Sequence, residues 1–568
     1  MMVYFKREKF AGIAPAVNPR LLAERFGQIA ENIDFESQHL KSVTHDSDTY
    51  LLQNSARRSI YFYRDTNWLE WSEEDVSAVP GPIPGDTTDR LYYTGDDYPR
   101  VGTYATLVAG NNGYPNTSYR LGVPAPSAAP TVVINNTADD SLTPDDVSYV
   151  YTLVTAFGEE GPPSDPSGAI EKDAGQTATL TLATGSLPSG NYNFGAGAKK
   201  RIYRSNTGST NTRFQFVAEV SYNTTSYTDS TESAFLGEVL PSDTWIGPPD
   251  DDANLYPDGP LQGLIPLAQG VMAGFTGKRF CLSEPFLPHA WPIQYRITTE
   301  EDIVAIASTS NGVVALTDGQ PYFITGTDPS AMTAIRIDLA QACVNTRSVV
   351  DMGDYIIYAG PDGLCTVQGA QGAVATQGQI SAKQWNDDFN PTTIRAFKHE
   401  GTYVAFHAGG GWVYDPRNQD ASLTTLTVSG DIRGGYRNPK DGQLYVIVGN
   451  KIRKYRGSTT PKNLKFKTKK FVSPTPISMG WISVNANAYP VTVRVYGDGF
   501  LVAHYVLSKS GGTYTQATTV PAGVSNGTLQ EPIMRMPAVI AQEWEVQVEG
   551  TDINEFCLAQ AMDEVRGT

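Results

Sequence analysis

The chain has 568 residues, of which 43 are Lys or Arg and 60 are Asp or Glu, giving a formal net charge of −17 with 40% hydrophobic and 18% charged residues. That length exceeds one hydrophobic core and predicts about three or four domains of roughly 150 residues. The acidic balance argues against tight non-specific binding to nucleic acid or to an anionic membrane, and the abundance of Gly (53), Pro (37) and Tyr (30) favours short strands and tight turns over long helices.

The four cysteines, Cys281, Cys343, Cys365 and Cys557, are far apart and contain no C-x-x-C pair, so buried, reduced thiols are expected rather than a zinc site or a disulfide framework. The opening MMVYFKREKFAGIAP lacks the apolar core of a signal peptide, and no apolar run approaches the roughly 18 residues of a membrane span. Synthesis and assembly in a cytosol are the expectation.

In chain order, PRLLAERFGQIAENIDF spaces Leu22, Phe26, Ile29, Ala30 and Ile33 by threes and fours behind Pro19, which predicts a short helix. SIYFYRDTNWLEW and DRLYYTGDDYPRVG follow as strands separated by the loop VPGPIPGD. At GVPAPSAAPTVV the composition becomes that of a linker. The strands SYVYTLVTAFGEEGPPS, ATLTLAT, KRIYRSN, FQFVAEV and TSYTDS then suit a small sandwich that closes near LGEVLPSDTW. The strand and Gly/Pro turn of YVYTLVTAFGEEGPPS resemble a fibronectin type III domain.

From Gly259 to about Arg456 one unit recurs, two apolar strands around a tight turn, as in VVALTDGQPYFITG, YIIYAGPDGLCTVQG, TYVAFHAGGGWVYDP and QLYVIVGNKIRKY. Repeated hairpins of this kind predict a β-propeller of degenerate blades, with residues of about 40 to 110 supplying further blade strands from the other end of the chain. In YPVTVRVYGDGFLVAHYVL, Val491, Val493 and Val495 alternate with Thr492 and Arg494 before a GDG turn, the pattern of a half-buried antiparallel sheet. The expected fold is therefore all-β, a β-propeller-like core with an inserted fibronectin III-like sandwich and a C-terminal β-sandwich. Its divisions are 1–122 (N-terminal arm, helix and strands completing the propeller), 123–245 (insertion), 246–460 (propeller) and 461–568 (C-terminal sandwich).

The stretch LSEPFLPHAWPIQYRIT holds Ser283, Glu284 and His289, the residue types of a hydrolase triad, but no strand-G-x-S-x-G-helix context surrounds the serine. Its prolines Pro285, Pro288 and Pro292 predict instead a stiff, extended joint anchored by Phe286 and Trp291. None of the six histidines forms an H-E-x-x-H motif, although His399 and His407 could meet across a hairpin. Asp96-Asp97, Glu159-Glu160 and Asp250-Asp251-Asp252 lack the pattern of an EF-hand loop and read as solvated loops. No phosphate-binding loop is present, and neither metal nor cofactor is expected.

One stretch opposes the overall charge: in KNLKFKTKKF, Lys465, Lys467 and Lys469 share one face of a strand and Leu464 and Phe466 the other. These lysines suit either contact with DNA phosphates or an acidic neighbouring subunit, or an edge strand protected against unwanted pairing; the edge strand is the expectation.

The segments FAGIAPAVNPRLLAERFGQIAENIDF, RLYYTGDDYPRV, KRIYRS, FVAEVSYNTTSYTDS, SEPFLPHAWP and LTDGQPYFITGTDPSAM together resemble virion proteins of tailed bacteriophages, in particular the propeller-containing tail nozzle or tail tubular proteins of short tails. The resemblance implies a structural, non-enzymatic subunit of a homo-oligomeric ring, most often a hexamer. Such a ring sits in the virion tail beside portal, adaptor and fibre proteins, and double-stranded DNA leaves through its lumen. A net negative wall would let the duplex slide rather than hold it. No catalytic residue transfers from that family. The alternatives are a carbohydrate-binding or depolymerising tail component, with Tyr322, Trp385, Trp412 and Tyr436 available to stack on sugars, and a receptor-binding adhesin.

Overall fold

The computed structural model describes residues 4–37, 39–110, 115–137, 144–183, 191–207, 211–417, 422–520 and 527–566. The chain is all-β and divides into two compact units, one formed by Met1–Phe62 with Leu339–Thr568 and the other by Tyr63–Asp338.

Within Tyr63–Asp338, three four-stranded antiparallel sheets have the up-and-down order of propeller blades. Blade 1 is Ser77–Pro80, Leu91–Thr94, Arg100–Gly102 and Tyr119–Arg120; blade 2 is Gln262–Pro266, Met272–Thr276, Arg279–Leu282 and Ile297–Thr298; blade 3 is Ile303–Thr309, Gly312–Thr317, Tyr322–Thr325 and Thr333–Arg336. They stack by apolar faces. Val79 and Tyr92 of the first, with Leu121 just after it, meet Leu264 and Met272 of the second and Trp291 in the turn between its last two strands, and Ala273, Phe275 and Phe280 meet Ile306, Val313 and Ile324 of the third.

Between blades 1 and 2 the chain builds the inserted sandwich. Thr131–Asn135, Thr177–Thr181 and Ser226–Asp229 form one sheet, and Tyr149–Val154, Lys199–Thr207 and Thr212–Ser221 another. Because strand side chains alternate, Tyr149, Tyr151 and Leu153 enter one core with Ala178, Leu180 and Ile202, whereas Val150 joins Tyr203 and Leu240 on the opposite face. Each large apolar side chain so buried contributes about 1.5–3 kcal/mol.

The other unit carries three more four-stranded up-and-down arrays, of which the second, blade 5, is continued through Gly27–Glu31 into the C-terminal strands as one 12-stranded sheet. Blade 4 is Val350–Asp351, Ile356–Ala359, Leu364–Gln368 and Gln371–Val374, and blade 5 is Arg395–His399, Thr402–His407, Gly410–Asp415 and Ser422–Leu426. Blade 6 takes Ile432–Arg437, Leu444–Val448 and Lys451–Lys454 from late in the chain and its fourth strand, Ser47–Leu51, from the beginning. The remaining strands make a two-sheet C-terminal sandwich, in which Val491, Val493 and Val495 are fully buried while Thr492 and Arg494 are half-buried on the other face. One continuous core joins Ile357 and Leu364 of blade 4, Tyr403 and Trp412 of blade 5, and Val493, Val546 and Phe556 of the sandwich.

The N-terminal segment departs from expectation. Residues 19–35 form no helix: turns over 19–26 lead into strands Gly27–Glu31 and Ile33–Asp34. The apolar residues at helical spacing are buried by another route, Leu22 and Phe26 against Ala11 and Ala14, and Ala30 and Ile33 in the core shared with the sandwich. Gly27–Glu31 lies between Ser422–Leu426 and Leu464–Thr468, so long-range strand pairing overrides the local helical period. Gly27 also admits what a helix residue would not, because a Cβ there would meet the Lys467 carbonyl at 2.9 Å.

Candidate functional site

The chemistry-bearing residues of the 282–298 stretch are held apart, each in a separate hydrogen-bonding environment. Ser283 is fully buried; its hydroxyl accepts from Met272 N at 2.8 Å and donates to Glu284 O at 3.0 Å. The Glu284 carboxylate accepts from Tyr295 OH at 3.1 Å. His289 is 2% exposed, with Nε2 3.2 Å from the Glu160 carbonyl and its ring edge-on to Trp245 at 6.1 Å. A nucleophile needs a base within hydrogen-bond reach, and Ser283 has backbone partners instead. Burial also lowers the His289 pKa, which keeps the ring neutral.

The three prolines frame a compact double turn, not an extended connection. Leu287 N bonds Glu284 O at 3.2 Å, Ala290 N bonds Leu287 O at 3.0 Å, and Phe286 takes a left-handed φ of 58° with its N donating to Gly270 O at 3.0 Å. Pro285 is half-buried, while Pro288 and Pro292 are buried. Trp291 is the true anchor: it is 1% exposed in the core between blades 1 and 2, and its Nε1 donates to Pro288 O at 2.9 Å. Phe286 remains 45% exposed, its ring lying over Gly270, where a Cβ would come within 2.4 Å of it. The sequence marks stiffness here, but only chain folding chooses which aromatic is buried.

Two acidic pairs assigned to solvated loops are structural. Glu159 accepts from Arg90 at 2.6 Å, and Arg90 also binds Asp86 at 2.9 Å, which joins blade 1 to the insertion. Glu160 is 2% exposed and receives Thr152 Oγ1, Tyr203 OH and Arg201 Nη1, each at 2.7 Å. Asp250 and Asp251 similarly clamp Arg120, at 3.1 and 2.6 Å. Bonded carboxylates of this kind hold elements together.

The lysine strand is not an edge. Leu464–Thr468 pairs with Gly27–Glu31 on one side and Ile540–Gly550 on the other. The helical pattern assigned to residues 27–31 concealed this partner. Lys465 faces Glu31 at 3.8 Å; Lys467 pairs with the buried Glu545 at 3.0 Å and lies 4.6 Å from the Tyr496 ring centroid; Lys469 is half-buried just beyond the strand. Charges matched in this way inside a sheet present little positive field to DNA.

The proposed sugar-stacking residues do not form a platform. Tyr322 (6% exposed), Trp385 and Trp412 are buried, the last two in one aromatic cluster with Phe389, and Tyr436 packs edge-on against Tyr61 at 5.2 Å. His399 and His407 lie at opposite ends of their hairpin, opposite Thr402 and Gly410. Among the described residues no group of three His, Cys, Asp or Glu could hold a metal ion, and the four cysteines are buried with none of them in a disulfide.

His399 carries a pH prediction. It is buried edge-on to Tyr455 at 4.9 Å, and burial together with the Arg456 and Arg437 charges lowers its pKa to about 4. The unfolded chain binds this proton near pH 6.5 and the folded chain only near 4, so this contribution to stability is complete above 6.5 and is lost as pH falls toward 4. The loss at pH 5 relative to pH 8 is about 2 kcal/mol. Urea unfolding of the Met1–Phe62 and Leu339–Thr568 unit should become less pH-dependent across this window in His399→Gln.

No protein-family model matches the chain, and no curated protein matches it. Among solved structures it is similar to the WD40 domain of Neurospora crassa Pan2, with 8% identity and a TM-score of 0.25 over 52% of this chain and 86% of that one. It is also similar to YCF48 from Cyanidioschyzon merolae, with 10% identity and a TM-score of 0.23 over 72% and 96% of the two chains. The scores are low, and the blade-like architecture rests on the strand pairing described above.

Proposed function

We propose that this chain is a structural subunit of a bacteriophage tail, a nozzle or tail-tube ring protein that surrounds the path of the leaving genome. The observation that supports this best is the way its N-terminus is sewn into distant sheets. Tyr4–Arg7 pairs with Asp552–Ala559, Gly27–Glu31 with Leu464–Thr468, and Ser47–Leu51 with Lys451–Lys454. Both ends of that unit are thereby locked by backbone hydrogen bonds, which suits a part that carries load and does not open for turnover. The burial of Ser283, His289, Trp385 and Trp412 leaves the carbohydrate alternative without an exposed site made from those residues.

Two further properties fit the role. A net charge of −17 opposes adhesion of a passing duplex. Phe500 (79% exposed) and Ile540 (70% exposed), both on the C-terminal sandwich, offer apolar anchors to a neighbouring copy or another tail protein. The test is the mass of the native particle with end-on electron micrographs of the purified chain, alone and with its tail neighbours. A closed ring, six-fold by the resemblance, is expected. A particle that remains a single copy in both settings, or that shortens host polysaccharide, would overturn the proposal.

A further inference from the structure

Turns at one end of blades 2 and 3 enclose a cleft of about 510 Å³. In an up-and-down sheet the first and third turns emerge at the same end. The cleft is lined from the first turn of blade 2 (266–271) and from the first and third turns of blade 3 (308–313 and 326–332). Its floor is aliphatic: Val271 and Val313 are buried, and Leu267 and Met332 are half-buried against the core of these two blades. Its rim is polar. The side chains of Gln269, Ser308, Asn311 and Thr327 make no hydrogen bond to any of the described residues. Asp328 is the only carboxylate among the described lining residues. Its Oδ1 accepts from Ser330 Oγ at 2.6 Å and Ser330 N at 2.8 Å, bonds that hold its pKa below the usual carboxylate range and leave Oδ2 for a ligand.

Two residues here sit where neither backbone preference nor burial would put them. Gln269, at the apex of the turn closed by Leu267 N donating to Val271 O at 2.8 Å, is exposed and has a φ of 59°. Phe286, bonded to the backbone of Gly270 between two cleft-lining residues, has a φ of 58° and stays 45% exposed. Left-handed backbone suits glycine, and a bulky residue held there is an outlier of the kind that collects at ligand clamps. Glycine at 286 would relax the backbone and remove an exposed ring together; what would be lost is the aromatic face beside the cleft. An aromatic face, an aliphatic floor and unbonded amides and hydroxyls together match the C–H face and the hydroxyl edge of a sugar ring.

We propose that this cleft binds a neutral sugar carrying an acetamido group. The acetamido methyl suits the aliphatic floor, its C=O and N–H complement the amides of Gln269 and Asn311, and ring hydroxyls pair with Ser308, Thr327 and Asp328 Oδ2. The Asp328 charge disfavours acidic sugars. A lone carboxylate lacks the partner that glycoside hydrolysis uses, so the sugar is held and not cleaved. The site is independent of ring formation, since one copy carries all of its lining residues.

The test is calorimetric titration of the full-length chain with the trimer of N-acetylglucosamine, with cellotriose, which lacks the acetamido groups, and with trigalacturonate, which is acidic. Saturable binding of one N-acetylglucosamine trimer per chain is expected, with weaker binding of cellotriose and none of trigalacturonate. Phe286→Gly should weaken binding about ten-fold through loss of the stacking face. Gln269→Gly should weaken it about three-fold or more through loss of one hydrogen-bonding amide. Because glycine adopts the left-handed φ freely, both variants should melt no lower than the parent, an outcome that a merely structural role for these side chains would not give. If either variant fails to fold, the other gives the same readout. Absence of saturable binding of the N-acetylglucosamine trimer to the unaltered chain would overturn the proposal, as would equal affinity for cellotriose or unchanged affinity in the folded variants.

Discussion

Replacing Asp229 with alanine is expected to unfold the inserted sandwich while leaving blades 2 and 3 protected. Asp229 is fully buried at the end of strand Ser226–Asp229, and its Oδ2 receives Arg204 Nη1 at 2.6 Å and Tyr149 OH at 2.8 Å. Its Oδ1 accepts from Thr231 N at 2.8 Å, so the same carboxylate fixes the turn that follows. Arg204, 1% exposed, belongs to the opposite sheet, making this ion pair a bolt between the two layers of the sandwich.

Removing the carboxylate strands a guanidinium in a closed core, where an uncompensated charge costs about 3–5 kcal/mol. That approaches the whole stability of a small domain. Hydrogen exchange read peptide by peptide on the full chain should show lost protection in Tyr149–Val154 and Lys199–Thr207 and retained protection in Met272–Thr276 and Gly312–Thr317. A double variant, Asp229→Leu with Arg204→Met, should recover most of the loss, since paired apolar replacements remove both charges at once. Uniform exchange across all four segments would show that the pair does not act locally.

The second large effect is expected at Gly12. A Cβ at this position would lie 2.1 Å from Leu423 O and 2.5 Å from Leu423 N, both backbone atoms that cannot rotate away. The close approach exists because Ile13 N donates to Leu423 O at 2.8 Å and Gly27 N donates to Gly12 O at 3.1 Å, laying the N-terminal segment along the outer strand of blade 5. Gly12→Ala must lift the segment, break these bonds and expose Phe10 and Ile13, which are 4% and 9% exposed in the intact fold.

Overpacking against backbone together with lost hydrogen bonds should cost upwards of about 3 kcal/mol. Limited proteolysis should then cut within residues 4–26 at concentrations of protease that leave the parent chain intact. Because Gly27–Glu31 is a middle strand, loosening it should also raise exchange in Leu464–Thr468. If the variant resists cleavage as the parent does, the N-terminal strands are not held by this contact. The same variant would also weaken ring assembly in the role proposed for the chain.

What the sequence by itself determined was local and periodic. Alternating apolar residues marked strands such as Val491–Gly497, DG and GG turns marked hairpins, and the Pro/Ala/Ser stretch before Thr131 marked the start of the insertion, because side-chain alternation and turn geometry are properties of a few neighbouring residues. Tertiary structure alone decided the fate of Gly27–Glu31, whose helical spacing yielded to pairing with a strand more than 430 positions away. The same distance explains why Leu464–Thr468 reads as an edge in sequence yet lies inside a sheet. Charged residues show it most clearly: Glu160, Asp229 and Lys467 carry no sign in the sequence of the Arg, Tyr or Glu that each meets, since a partner is chosen by where the backbone places it.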